Sequence, residues 1–166
     1  MSNYNTLVHL AESYATDFRD DDFQHQVVAV CIKNGKPIAF GVNQKRHLKN
    51  RSTFKCSCHA EMDLLRKIGG KAKGSKIYLY RFNNTENPTA RENKNGKPCI
   101  MCQHVLKSVG VSKIFYVDDD SNIQILKNRD MVSLIGSPAT ITRFFVDRDK
   151  DANNAKFIPM DYVRTV

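Results

Sequence analysis

Leu7, Leu10, Ala11, Tyr14, Ala15 and Phe18 recur at intervals of three and four, which predicts an amphipathic helix over residues 4 to 18 ahead of the acidic turn Asp20-Asp21-Asp22. QVVAVCIK and KPIAFGV are apolar runs separated by Asn34-Gly35. That dipeptide tolerates the positive backbone angles of a type I′ turn, so the two runs read as a hairpin. Met62, Leu65 and Ile68 then mark a second helix from His59 to Ile68, stopped by Gly69-Gly70. KIYLYRF is a third strand, and the polar stretch NNTENPTARENKNGK over 83 to 97 reads as a surface insertion. Pro98 opens a third helix that Gly110 ends. KIFYV and IQILK, joined by DDDSN, are fourth and fifth strands, too closely linked for anything but an antiparallel hairpin. Residues 128 to 166 mix short apolar patches with charge, Pro138 and Pro159, and are expected to form a covering C-terminal segment. The order predicts an α/β fold, helices on the faces of one central sheet, in a single domain spanning 1 to 166.

Composition narrows the class without changing the fold. The 166 residues carry 41% hydrophobic and 26% charged side chains, as a soluble domain does, and no window has the roughly 18 to 20 apolar residues of a membrane span. The N-terminus MSNYNTLVHL lacks the order of a secretory signal, so an intracellular, cytoplasmic address without a membrane partner is expected. A formal charge of +9 favours anionic partners. Cys56 and Cys58 form one close pair, Cys99 and Cys102 another, and Cys31 lies alone in an apolar strand. In a reducing compartment such pairing points to metal or catalysis before disulfides.

Two segments carry the chemistry, Cys58-His59-Ala60-Glu61 and Pro98-Cys99-Ile100-Met101-Cys102, each at the start of a predicted helix. Cysteines at i and i+3 share a helical face, and the dipole end there favours the thiolates that bind zinc. His59 completes a three-ligand set, which leaves the fourth tetrahedral position open as catalytic zinc sites do. Glu61 is the carboxylate in reach to accept a proton from activated water.

His59-Ala60-Glu61 followed by Pro98-Cys99-x-x-Cys102 resembles the signature of the zinc-dependent cytidine deaminase-like superfamily over roughly residues 24 to 127. The resemblance implies the cytidine deaminase-like fold, a mixed five-stranded sheet with the two metal-bearing helices side by side. It implies Zn2+ as cofactor and hydrolysis at C4 of cytosine or C6 of adenine, with Glu61 as acid and base in turn. It further implies that the Ala60 N–H meets a base carbonyl, that the Lys97 carbonyl accepts from the exocyclic amine, and that Asn43 contacts the sugar. The chain departs from familiar members in the 40 positions from His59 to Cys99 and in Lys97, which stands where Ser or Glu commonly precedes the Pro-Cys. A direct hairpin between strands four and five resembles free-cytidine and toxin-type members. It sets the chain apart from tRNA adenosine, deoxycytidylate and polynucleotide cytosine deaminases, which insert a helix there.

The substrate is left among a nucleoside, a nucleotide and single-stranded nucleic acid, with cytosine ahead of adenine. Lys45, Arg46, His47, Lys49, Arg51 and Lys55 fill the loop from 43 to 58, and Arg91, Lys94 and Lys97 lie in the second segment, so two basic rims are expected at the mouth. Exposed rings for base stacking are scarce, since Phe54 is the one aromatic in the first loop and Tyr80 and Phe82 sit on a strand. Two readings from another class stay open, a catalytically silent zinc-stabilised nucleic-acid-binding module and a structural zinc with Cys56 or Cys58 as fourth ligand. A homo-oligomer is carried as a further partner state.

Overall fold

The computed structural model describes residues 2–17, 23–47 and 55–133. The acidic turn and the covering segment beyond residue 133 lie outside the described residues. Along the chain run α1 (Ser2–Asp17), β1 (His25–Lys33), β2 (Lys36–Val42), β3 (Gln44–His47), β4 (Lys55–Cys58), α2 (Ala60–Ile68), β5 (Lys76–Asn83), β6 (Asn93–Lys94), α3 (Ile100–Val109), β7 (Lys113–Val117) and β8 (Ile123–Lys127).

Asn34 and Gly35 take φ of 51° and 74°, the left-handed values that turn β1 into β2 without splaying them. The main sheet has the order β2-β1-β5-β7-β8. Its strands are antiparallel at β2/β1, β1/β5 and β7/β8, and parallel at β5/β7. The β5/β7 crossover is filled by α3, as a parallel pair requires. A sixth strand departs from the expected five: Asn93 and Lys94 fold back as β6 to pair with Phe82 and Arg81. The polar segment 83–97 is therefore not simply a surface insertion. Sidedness in β5 leaves backbone groups at Arg81 and Phe82 to be satisfied, and β6 satisfies them. Likewise the stretch read as a loop from 43 to 58 supplies an antiparallel two-stranded ribbon, β3 on β4, at its described ends.

Strand alternation divides the core in two. Val28, Val30, Tyr80 and Phe82 point to one face, where Leu7, Ala11 and Ala15 of α1 cover them. Ala29, Cys31, Ile77, Leu79 and Ile114 point to the other and pack against Leu64 and Leu65 of α2 and Val105 and Leu106 of α3. Each fully buried Leu contributes roughly 1.5–3 kcal/mol. Met131, just past β8, adds to this second core.

The second face is where the chemistry sits, and Gly41 sets how closely α2 approaches it. A β-carbon at Gly41 would strike the Ala60 carbonyl oxygen and lie 2.6 Å from the Leu64 nitrogen. Both are helix backbone and neither can yield alone. Gly41→Ala is therefore expected to lower stability by about 3 kcal/mol or more, read as a shift of the urea midpoint. A variant within about 1 kcal/mol of the parent would show that α2 is not seated by this contact.

Candidate active site

β4 ends at Cys58 and α2 begins at Ala60, so His59 occupies the cap between them in extended conformation, φ −68° and ψ 152°. Asp63, one turn on, ties this end of α2 to the sheet. Its carboxylate accepts from the Val42 N–H at 3.1 Å and Gln44 Nε2 at 2.7 Å, and pairs with Arg66 and Lys67, each at 2.9 Å. Burial pushes the Asp63 carboxyl up, but the Lys67, Arg66 and Val42 bonds together outweigh it and hold it below the ordinary carboxylate range.

The start of α3 differs from the expectation that Pro98 opens the helix with both cysteines on one helical face. Cys99 is the N-cap, extended at ψ 160°, and Pro98 lies outside the helix. The cause is the sulfur itself: Cys99 Sγ accepts from the Cys102 N–H at 3.5 Å, satisfying one of the unpaired donors of the first turn. This cap brings the two sulfurs to one point. His59 Nδ1 lies 3.6 Å from Cys99 Sγ and 3.4 Å from Cys102 Sγ. With Zn–S near 2.3 Å and Zn–N near 2.0–2.1 Å, a tetrahedral site needs N···S edges of about 3.6 Å. The ligand atoms of His59, Cys99 and Cys102 all lie within 4.8 Å of one another. The set fits Zn2+, and Cys58 is not in it.

The thiols are prepared for a cation. A hydrogen bond from Cys102 pulls Cys99 down to about 4, despite burial and with help from His59 and the Cys102 N–H. Cys102 moves the opposite way, because its proton is held by that same bond and the thiol is buried. The metal-free pair thus shares one proton, carried by Cys102. Cys31 is buried far from this chemistry, in the core against Ile77 and Leu79, and burial raises its thiol. Cys58 is half-buried with its sulfur 3.6 Å from the His59 carbonyl oxygen, and the Cys56 side chain lies outside the described residues.

Glu61 is 5% exposed, and burial raises its carboxyl, opposed by His59. It lines a cavity of about 400 Å³ together with His59, Cys99, Ala60, Asn43 and Lys97, so every residue expected at the site except the buried Cys102 borders one space. Asn43 is more heavily engaged than a simple sugar contact requires. Its Oδ1 accepts from Gln26 Nε2 at 2.8 Å and the Val27 N–H at 2.7 Å, and its Nδ2 donates to the His25 carbonyl at 2.9 Å. One amide hydrogen remains to offer. Ala60 is the first residue of α2, where the backbone N–H has no partner within the helix. Lys97 is held by its own N–H, which donates to Asn95 Oδ1 at 3.0 Å.

One expectation shifts. Arg91 does not stand at the mouth: it donates to the Glu12 carbonyl and Thr16 Oγ1 of α1 and lies over the Phe82 ring at 5.7 Å. Tyr80 and Phe82 belong to the core beneath α1. The residues overlooked in the cavity wall are His25, Arg81 and Asn95. A signal for Arg81 was present, since alternation puts it on the opposite face from Tyr80 and Phe82, beside the metal helices. The side chains of Lys45, Arg46, His47 and Lys55, and residues Lys49 and Arg51, lie outside the described ones.

A mixed sheet carrying a His-Cys-Cys centre and a buried carboxylate at two helix starts defines a zinc hydrolase of the deaminase kind. Residues 1–118 match the family described as the cytidine and deoxycytidylate deaminase zinc-binding region, and the chain belongs to that family. It is a hydrolase acting on C–N bonds, with Zn2+ as its cofactor. Among solved structures it resembles the dCMP deaminase of cyanophage S-TIM5 in complex with dCMP and dUMP, with 22% identity and a TM-score of 0.48 over 69% of this chain and 80% of that one. It also resembles the cytidine deaminase of Burkholderia pseudomallei, with 14% identity and a TM-score of 0.50 over 76% of this chain and 94% of that one. The latter likeness is one of fold. No curated protein matches the chain. Among the described residues no helix is long and apolar enough to cross a membrane.

Proposed function

We propose that the chain hydrolyses the exocyclic amine of cytosine in a nucleoside, a nucleotide or single-stranded nucleic acid, giving uracil and ammonia. The observation that carries this is a buried carboxylate, Glu61, in the wall of the same cavity as the zinc-fitting cluster. His59, Cys99 and Cys102 would hold the zinc, which supplies Lewis-acid activation of the attacking water. Burial keeps the Glu61 carboxyl ready to carry a proton, so it relays the two protons of the water in turn, the first to the ring nitrogen and the second to the departing amine. The Ala60 N–H holds the base carbonyl, the Lys97 carbonyl accepts from the amine, and the free Nδ2 hydrogen of Asn43 meets the sugar. A space of about 400 Å³ is in the range of small-molecule pockets. Cytosine is favoured over adenine by the family and by the direct connection from β7 to β8. Thiol ligands need reduced sulfur, which supports work in an intracellular, reducing compartment.

The test is to offer the zinc-loaded protein cytidine, deoxycytidine, their monophosphates, adenosine and single-stranded oligonucleotides while measuring ammonia. Ammonia from at least one cytosine compound, and none from adenosine, is expected. Silence with all of them would sink the reading and leave a zinc-stabilised binding module.

A further inference from the structure

Arg81 enters the cavity from β5 opposite Val27, and nothing in the chemistry proposed above uses it. Its guanidinium is half-buried yet meets no carboxylate among the described residues. Nη2 donates to His25 Nδ1 at 3.2 Å and Nη1 approaches the Asn95 carbonyl oxygen at 3.4 Å, while Nε is buried with no partner. A guanidinium has only donors, so His25 must present Nδ1 as a lone pair and keep its proton on Nε2. Burial, Arg81 and Lys94 all disfavour charging that imidazole. Both of the partners that fix the guanidinium are therefore neutral. They orient it, and among the described residues no carboxylate pairs with its charge.

Withdrawing such a charge from water without a counter-charge is costly, and a neutral base carbonyl would not offset it. Among the described residues Asp63 pairs with Arg66 and Lys67, Glu92 pairs with Lys94, and Asp119 accepts from Asn95 Nδ2 at 3.2 Å. Among the described residues no ion pair joins Arg81 to Glu61. Lys97 adds a second cation to the lining, and Glu61 is the one carboxylate in it among the described residues. The imbalance calls for an anion brought by the ligand.

We infer that Arg81, oriented by His25 and Asn95, binds a phosphate ester of the substrate, so that the cavity selects phosphorylated cytosine compounds over the bare nucleoside. The planar fork suits a phosphate's paired oxygens, and Asn95 and Lys97 border the same space. This rests on the cytosine reading of the site, but it can fail separately. A terminal phosphate of a mononucleotide and a phosphodiester of a strand share the chemistry, and the experiment separates them.

Binding of cytidine, cytidine 5′-monophosphate and a short single-stranded oligonucleotide bearing one cytosine is measured by calorimetry on the zinc-loaded Glu61→Gln protein, which holds substrate without consuming it. The monophosphate is expected to bind about 10- to 100-fold more tightly than cytidine, the worth of a charge-assisted hydrogen-bond pair. Adding Arg81→Gln should abolish that advantage and leave cytidine affinity within about threefold. Arg81→Lys should keep part of it, because it keeps the charge and loses the fork. An oligonucleotide that outbinds the monophosphate, with the excess lost in Arg81→Gln, assigns the phosphate to a strand; the reverse order assigns it to a free nucleotide. Equal affinity for cytidine and its monophosphate overturns the inference, as does an equal fall for both in Arg81→Gln. Should Arg81→Gln fail to fold, an undiminished preference in Arg81→Lys overturns it as well. Loss of ammonia release by the parent on every substrate, with the phosphate preference in binding intact, would instead fault the deamination reading alone.

Discussion

Glu61→Gln is expected to lower deamination by about 10⁴-fold, the upper end of what a positioned acid–base group contributes, while zinc content and substrate affinity stay within a few-fold of the parent. Glutamine keeps the shape and much of the hydrogen bonding but cannot carry a proton. Glu61 is 5% exposed, so water cannot readily take over its role. The size of the loss follows from two uses of one group, since the same carboxylate passes the first proton of the attacking water to the ring nitrogen and the second to the leaving amine. A merely structural Glu61 would behave otherwise. Burial already raises its carboxyl, and removing the proton-carrying function from such a group would then leave turnover nearly unchanged and stability equal or higher. Steady-state ammonia release with parallel metal analysis separates the two. A loss under about tenfold with zinc retained would remove Glu61 from the reaction.

Hydrophobic spacing disclosed nearly all of the framework, for a physical reason. α1 and the β1/β2 hairpin each bury one face against a partner, so Leu7, Ala11 and Ala15, and the alternation through Val28 and Val30, leave a periodic trace. The metal set was legible for another reason: each of its residues lies at a helix start, where caps and stops punctuate the chain. What escaped was structure made by backbone pairing without a pattern of side chains. β6 has two residues, Asn93 and Lys94, and its existence depends on unpaired groups of β5 that no local sequence reveals. The ribbon of β3 and β4 is equally short and polar. The rim assignment failed for Arg91, because nearness along the chain is not nearness in space. Arg91 belongs by composition with Lys94 and Lys97, yet α1 offers it a carbonyl, a hydroxyl and, beneath it, the Phe82 ring. Arg81 was hidden the other way, as a lone charge in an apolar strand. Alternation gave its face, and the pairing of β1 with β5 adds that it lies beside His25.

Cys102→Ser is expected to abolish measurable deamination and to weaken zinc binding by more than about 100-fold, beyond the 10- to 100-fold that loss of a ligand's supporting partner costs. Serine keeps the size and can still donate to Cys99, so the change isolates the sulfur. Cys102 is fully buried beside Glu61 and His59, and among the described residues no thiol besides Cys99 and Cys102 joins the metal group. The proton shared by the sulfurs gives the prediction a pH signature. In the metal-free protein the hydrogen bond from Cys102 pulls the Cys99 thiol down to about 4, whereas that same bond and burial push Cys102 well above the ordinary thiol range. Zinc uptake must therefore expel that proton, so apparent affinity in the parent should rise about tenfold per pH unit between roughly pH 7 and 8.5, and flatten in Cys102→Ser. Chelator competition across that range measures it. Cys58→Ser is the decisive companion, because its sulfur lies 3.6 Å from the His59 carbonyl oxygen and is not one of the three grouped ligands. If Cys58→Ser keeps zinc and turnover, three ligands and an open fourth position stand. If it strips the zinc as thoroughly as Cys102→Ser, the centre is a closed four-ligand site, and an open catalytic position does not exist there.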